Sequence, residues 1–422
     1  MTRSARHSNM RRPGTLPVLA AGLLAALVGA ASCQAQKAAL SSSNYVEDFG
    51  SAWTFIRDNY TYLDEKAVDL ARVRDLLRPR VAEVRDTDEF ISLLEELIEH
   101  LYDHHAHLGV NTATSPRLVP TGADLWAVHR DGHTFITQVR SGSDAERVGL
   151  QPGMVIVTID GRPVREAVAD RLPQGVDPKN AAARDWALRA LLAGRHNANV
   201  ELEVLAESGP RTVAFQPGMT NRSETALAAT LLDGHIGYVR IHNSLGQRSL
   251  VREWDAALRA LRQTDGLILD LRDTPSGGDT IVARPLLGRL VVEARPYQRH
   301  EIPAEGRTWV ESVEPRGPFT YDEPVAVLVG RWTGSMGEGV AIGLDGMGRA
   351  TVFGTAMAGL RGALRGHSLQ HTGIQVRVPA ERLYHVDGTP REAFVPPMLV
   401  KPGASGEDVV LEAALQWLEM QR

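Results

Sequence analysis

From residue 233 onward the chain alternates between apolar strands and amphipathic helices, and that order limits the fold more than any other feature. "GHIGYVRI" reads as a strand, "LVREWDAALRALRQ" as a helix, "GLILDLRD" as a strand and "TIVARPLLGRLV" as a helix. "PVAVLVG" then reads as a strand and "GEGVAIGLDGM" as a helix. Repeated β–α order implies helices layered on a sheet through crossover connections, an α/β architecture. The run "VAVLVG" (325–330) is apolar throughout, as a buried strand is. It hands over to a helix through "RWTGSMGEG" (331–339), with Ser335 at its centre and Glu338 three residues later.

The texture upstream is different. In residues 44–110, "VEDFGSAWTFIRDNY" and "TDEFISLLEELIEHLYD" carry apolar residues at helical spacing, with Thr87 or Asp88 offering an N-cap for the second. A polar link, "NTATSPRLVPTG", follows. Residues 119–217 then read as short strands between "GLQPG" and "IDG" turns, closing on a hairpin in "NVELEVLAESGPRTVAFQPG". The order of a small-residue turn, "GLQPG" and "VIVTIDGRPV" resembles a bacterial PDZ domain, which implies a module that binds chain ends at a sheet edge. A plain β-module that only spaces its neighbours is the alternative. The expected layout is a signal over 1–33, a helical domain over 40–115, a PDZ-like domain over 119–218 and a catalytic domain over 219–422.

The N-terminus reads as an export signal: basic "MTRSARHSNMRR", apolar "LPVLAAGLLAALVGAA", then small residues in "ASCQAQ". The apolar run is short and Ala/Gly-rich for a permanent span, although a single-span anchor is the rival reading. Cys33 is the only cysteine, so no intrachain disulfide is expected. Its place at the end of the signal fits a lipoprotein site that would attach the chain to a membrane, but Ala30 stands where a leucine would be better; lipidation and simple cleavage both remain open. Either way the body of the protein is expected outside the cytoplasm, in the periplasm or outer envelope. A net charge of −5 without a basic block gives no footprint for nucleic acid.

Ser335 and Glu338 form an S-x-x-E capping-box pattern, and capping is compatible with chemistry. A serine in the first turn of a helix lies near positive dipole ends, which favour the anion formed in acyl transfer. The stretch is not a G-x-S-x-G elbow, since Thr333 fills the first glycine position. The order "IGYVRI", "GLILDLRDTPSGG", "VAVLVGRWTGSMGEG", "FGTAMAG", "VDGTPREAFVPP", preceded by "LYDHHAHLGV", resembles the C-terminal-processing and tricorn peptidase family across nearly the whole chain after the signal. That resemblance implies a crotonase/ClpP-like catalytic domain, with Ser335 as the nucleophile and proteins or peptides as substrates.

A serine hydroxyl needs a base. One branch of the family uses a lysine downstream of the serine, but Lys37, Lys66, Lys179 and Lys401 all lie outside "FGTAMAGLRGALRG". Arginine there cannot deprotonate. The histidine branch remains, and the motif L-x-D-x-H-x-x-L places the base at His105, with activity expected to rise near an ordinary imidazole pKa of ~6.5. His104 stands where tricorn has a serine, so the chain departs from that family's pattern at the fourth catalytic position. By the same resemblance Glu392 orients the imidazole, although "AFVPP" departs from the family's "GV.PD" and a solvated surface glutamate is the alternative. The oxyanion donors implied are the N–H of Met336 and that of Gly277 or Gly278. The spacing of His104, His105 and His107 argues against a metal cluster, and neither metal nor organic cofactor is expected. "GEGVAIG" is a weak echo of a dinucleotide-binding turn. A non-catalytic ligand- or peptide-binding protein on the same scaffold is the rival function.

Overall fold

The apolar runs "GLILD" and "VAVLV" become the two central strands of a six-stranded sheet. A computed structural model describes residues 40–66, 68–218, 225–232, 235–401 and 407–422; the signal and Cys33 lie outside them. Across the sheet the strands are Met398–Leu399, Ala350–Gly354, Val325–Val329, Gly266–Asp270, Ile236–Ile241 and Leu227–Leu232. All neighbours are parallel except the last pair. Every residue of Gly266–Asp270 and Val325–Val329 is buried, because both faces are covered. On one face the helices Leu250–Ala260, Thr280–Leu287 and Met336–Gly346 supply Trp254, Leu286 and Ile342; on the other, Val409–Met420 supplies Val410, Ala414 and Leu418.

The register matters for function. Leu269 lies beside Val327 and Asp270 beside Leu328, so the two strands end level and release "DTPSGG" and "RWTGSMGEG" from the same carboxyl edge. In open parallel sheets that edge is where ligands bind. A further parallel bridge, Thr274 to Thr333, holds the two loops together beyond the strands.

The helices Ser42–Asn59, Leu70–Val81 and Thr87–Glu99 share one apolar core with Leu369, Ile374, Val376 and Val378, from the far end of the chain. The strand His107–Leu108 pairs antiparallel with Gln375–Tyr384, placing His107 opposite Arg377. The helical segment is thereby docked on the second half of the chain. The cap of Thr87–Glu99 is Asp86, one residue before the expected pair, whose side chain accepts the Glu89 N–H at 2.9 Å.

Residues 125–215 form an antiparallel sheet in the order Leu125–Arg130, His133–Val139, Val155–Ile159, Val200–Ala206, Gly209–Phe215. Two helices, Val164–Arg171 and Ala181–Ala193, cover it, and only strands are expected there from the sequence. The second is capped by Asn180, which accepts the Ala183 N–H at 3.1 Å, and it buries Trp186, Leu188 and Leu192 against Ile136 and Val204. Three bonds fasten this segment to the carboxyl edge of the parallel sheet. Trp332 Nε1–H donates to Ala123 O at 2.7 Å, Gln138 Nε2–H to Thr355 Oγ1 at 2.9 Å, and Arg140 Nη2–H to Asp273 at 3.0 Å.

Candidate active site

Ser335 sits at φ +50°, ψ −109°, between the buried strand Val325–Val329 and the helix Met336–Gly346. A non-glycine residue there is strained by about 1–3 kcal/mol and stays only where its surroundings hold it. They do so here through four bonds. Gly334 N–H donates to Thr274 O at 3.2 Å, Gly337 N–H to Gly334 O at 2.9 Å and Ala358 N–H to Thr333 O at 3.0 Å. The Glu338 carboxylate accepts the Ser335 N–H at 2.7 Å. Thr333, which breaks the elbow pattern, is buried and braces the turn from inside: its Oγ1–H donates to Leu271 O at 3.0 Å, and its Oγ1 accepts from Gly330 N–H at 3.1 Å.

Gly277 lies directly against this serine. It has φ +64°, and a Cβ built on it would come within 2.5 Å of Ser335 Cβ and 2.8 Å of Met336 N. Its own N–H is spent on Thr274 O at 3.1 Å. Gly278 is exposed, and its N–H, like that of Met336, has no partner among the described residues. The two amides expected for the oxyanion from "DTPSGG" therefore differ in one respect: the Gly277 N–H is already bonded to Thr274 O, whereas the Gly278 N–H is unbonded among the described residues. Thr274 also locks this loop, since its buried Oγ1–H donates to Leu271 O at 2.8 Å.

His105 is buried, and its Nδ1 lies 2.7 Å from Arg361 O. A carbonyl only accepts, so Nδ1 carries the proton and Nε2 keeps its lone pair. Burial first, and then the Arg391 charge, hold the imidazole down to about 4, so it stays neutral well below the ordinary histidine range. A base at this position would titrate toward that lower value rather than near the expected ~6.5. Its main chain is fixed too: His105 N–H donates to Asp103 Oδ1 at 2.9 Å, and Tyr60 O–H to Asp103 Oδ2 at 2.7 Å.

Glu392 is not the partner of His105 Nδ1 in this structure. The Arg361 carbonyl takes that place, while buried Arg391 donates from Nη2 to the carbonyls on either side, Leu360 O at 2.8 Å and Gly362 O at 2.7 Å. Glu392 is half-buried beside Tyr62 and Arg361; its carboxyl is raised above the usual range, chiefly by burial, and Oε2 has no hydrogen-bond partner among the described residues. The three neighbouring histidines diverge. The His104 ring stacks on Trp186 at 5.9 Å, toward the antiparallel sheet's helix, and His107 Nδ1 lies 2.8 Å from His105 O. Among the described residues no group of three or more His, Cys, Asp or Glu side chains is placed to hold a metal ion.

Sequence reasoning missed Arg391, Asp103 and Lys66 as parts of the site. Lys66 is buried, donates to Tyr102 O at 2.8 Å and lies 3.9 Å from Asp103; burial brings its ammonium down to about 8. Asp103 could have been found, as the acidic position of L-x-D-x-H-x-x-L. A backbone carbonyl such as Arg361 O leaves no signal in sequence.

Residues 235–397 match the model of peptidase family S41, and residues 42–99 that of the tricorn protease C1 domain. A carboxyl-terminal-processing protease of Synechocystis sp. is 27% identical over 325 residues, covering 76% of this chain and 70% of that protein. Among solved structures, mature CPAF has a TM-score of 0.59 at 16% identity, over 90% of this chain and 96% of that one. The photosystem II D1 C-terminal processing protease has a TM-score of 0.55 at 19% identity, over 89% and 97%. At those identities the structures speak to the fold, a multi-layer α/β arrangement.

Proposed function

Because this chain belongs to the C-terminal-processing and tricorn-type S41 serine peptidases, we propose that it is an exported endopeptidase whose nucleophile is Ser335 and whose base is His105. The observation that supports this reading is the strained Ser335 at the carboxyl edge of a parallel sheet, with the adjacent Met336 amide unpartnered among the described residues. In the proposed cycle Ser335 Oγ attacks a peptide carbonyl while its proton passes to His105 Nε2. The Met336 and Gly278 N–H groups receive the oxyanion, preorganised donors being the largest single contribution in such sites. His105 then gives its proton to the leaving amine, and water releases the acyl group by the reverse sequence. Nδ1–H stays on Arg361 O throughout, which keeps the base in one tautomer without a carboxylate. Glu392, named by resemblance as the third member, would join only after a side-chain movement that brings it to the imidazole.

Cleavage of casein by the purified protein without its first 39 residues tests the proposal. Ser335→Ala should lower kcat by on the order of 10⁴–10⁶-fold with the fold intact. Turnover near that of the native enzyme would remove Ser335 from the mechanism, and saturable casein binding without new peptide ends would favour a binding protein. The proposal includes export and a PDZ-like role for residues 119–218. N-terminal sequencing of the envelope form, with palmitate labelling of native protein and Cys33→Ala, tests export and lipidation; a full-length cytoplasmic product would refute both.

A further inference from the structure

We propose that Glu338 is a positioning residue that sets the nucleophile and the base in register, by accepting the Ser335 N–H on one carboxylate oxygen and the Gly359 N–H on the other. The inference rests on Ser335 and His105 being nucleophile and base. Glu338 is fully buried on the first turn of Met336–Gly346. Its Oε2 accepts from Ser335 N–H at 2.7 Å and its Oε1 from Gly359 N–H at 2.8 Å, with the Leu360 amide also against the carboxylate. Two residues beyond Gly359 is Arg361, whose carbonyl holds His105 Nδ1. One side chain thus joins the strained turn that carries the nucleophile to the loop that grips the base. Arg391 completes the frame, donating to the carbonyls on either side of that grip and attracting the Glu338 charge.

An ordinary helix cap would make a different demand. A capping box works with Glu or Gln at this position, because one acceptor oxygen suffices. Here both oxygens accept from N–H groups of different segments, so the ionised carboxylate is the form that fits. An amide or a protonated carboxyl sets a donor against one of those N–H groups. Burial raises the Glu338 carboxyl to about 7, against the pull of Arg391 and the amide hydrogen bonds, so the fit is lost within an accessible pH range. The only charged side chain acting strongly on it among the described residues is Arg391.

A fluorophosphonate probe tests this without knowledge of the natural substrate. Ser335 Oγ bonds to phosphorus, fluoride leaves, and the hydroxyl proton goes to His105; intact mass reports the rate. Misplacing reacting groups by about 1 Å costs roughly 10²-fold, so Glu338→Gln should label about 10²-fold more slowly than native protein at pH 8. Glu338→Asp, ionised but too short to span both amides, should also be slow. Labelling of the native enzyme should fall as pH drops through about 7, a limb distinct from His105 near 4, and Glu338→Gln should lack it. Native-like rates and pH profile in Glu338→Gln would overturn the proposal. A flat native profile from pH 8 to 5.5 would overturn it too, even if neither variant folds. Label persisting in Ser335→Ala would instead overturn the nucleophile assignment on which the inference stands.

Discussion

Adding one methyl group at Gly277 should disable the enzyme while barely unfolding it. The new Cβ would lie 2.5 Å from Ser335 Cβ, 2.8 Å from Met336 N and 3.0 Å from Gly334 O. Carbon atoms rest at about 3.5–4.0 Å, so the "DTPSGG" loop and the serine turn must separate by roughly 1 Å. Such a displacement between the proposed nucleophile and oxyanion donors costs about 10²-fold in rate, equivalent to about 2.7 kcal/mol of barrier. The backbone cost is separate: a side chain at φ +64° loses about 1–2 kcal/mol, a modest part of a typical stability of about 5–15 kcal/mol. Gly306 provides the control, since it has φ +59° in the turn between Arg295–Ile302 and Arg307–Val313 and nothing within 4 Å of a built Cβ. Gly277→Ala should lower kcat/KM on fluorescent casein by about 10²-fold and Tm by a few degrees, whereas Gly306→Ala should shift Tm comparably and leave kcat/KM unchanged. If Gly277→Ala kept more than half of the native rate, or Gly306→Ala lost as much, contact with Ser335 would not be the cause.

Two further outcomes follow from the support of His105. Folding lowers its imidazole from the ordinary value to about 4, so between those values the unfolded chain binds the extra proton. Compared with His105→Gln, the native protein should therefore keep its full stability above pH ~6.5 and lose it as pH falls toward 4, read by thermal melts across that range; a gap widening in the native protein's favour would contradict the burial argument. Arg391→Lys keeps a charge but cannot reach both Leu360 O and Gly362 O with one planar group. It should lower kcat on casein by about tenfold or more with little change in KM, and an unchanged kcat would mean the 360–362 loop needs no such clamp.

How much of this was legible in the sequence depended on whether a segment's pattern reflects its own surroundings. "GLILD" and "VAVLV" are apolar at every position because helices cover both faces of the central strands, so the parallel sheet could be read directly. The helix Ala181–Ala193 was overlooked because alanines fill much of it, giving weak apolar contrast between its faces. The sharing of Leu369, Ile374, Val376 and Val378 with the N-terminal helices was invisible for another reason. Ile374, Val376 and Val378 alternate as any strand's residues do, Leu369 stands at the turn before them, and nothing local names their partners more than 250 positions away.

For the site, residue types that act through side chains left a mark and those that act through the backbone did not. Ser335 and His105 stand in recognisable settings, and the structure ties both to the 358–361 stretch through Glu338 and Arg361. The sequence does not show which of the Gly277 and Gly278 N–H groups is left unbonded, because that turns on which one the Thr274 carbonyl accepts. The same holds for Glu392. Its resemblance to a family position names a carboxylate, but the bond to the imidazole depends on which acceptor reaches Nδ1 first, and Arg391 presents a carbonyl there by binding the two that flank it. Glu338 was visible all along as half of a capping box, and only its second oxygen, turned to Gly359, distinguishes a cap from a brace. In a candidate site assembled from three distant segments, the residues suited to chemistry are easier to read than those that would keep them aligned, since alignment is a property of contacts between segments rather than of any one of them.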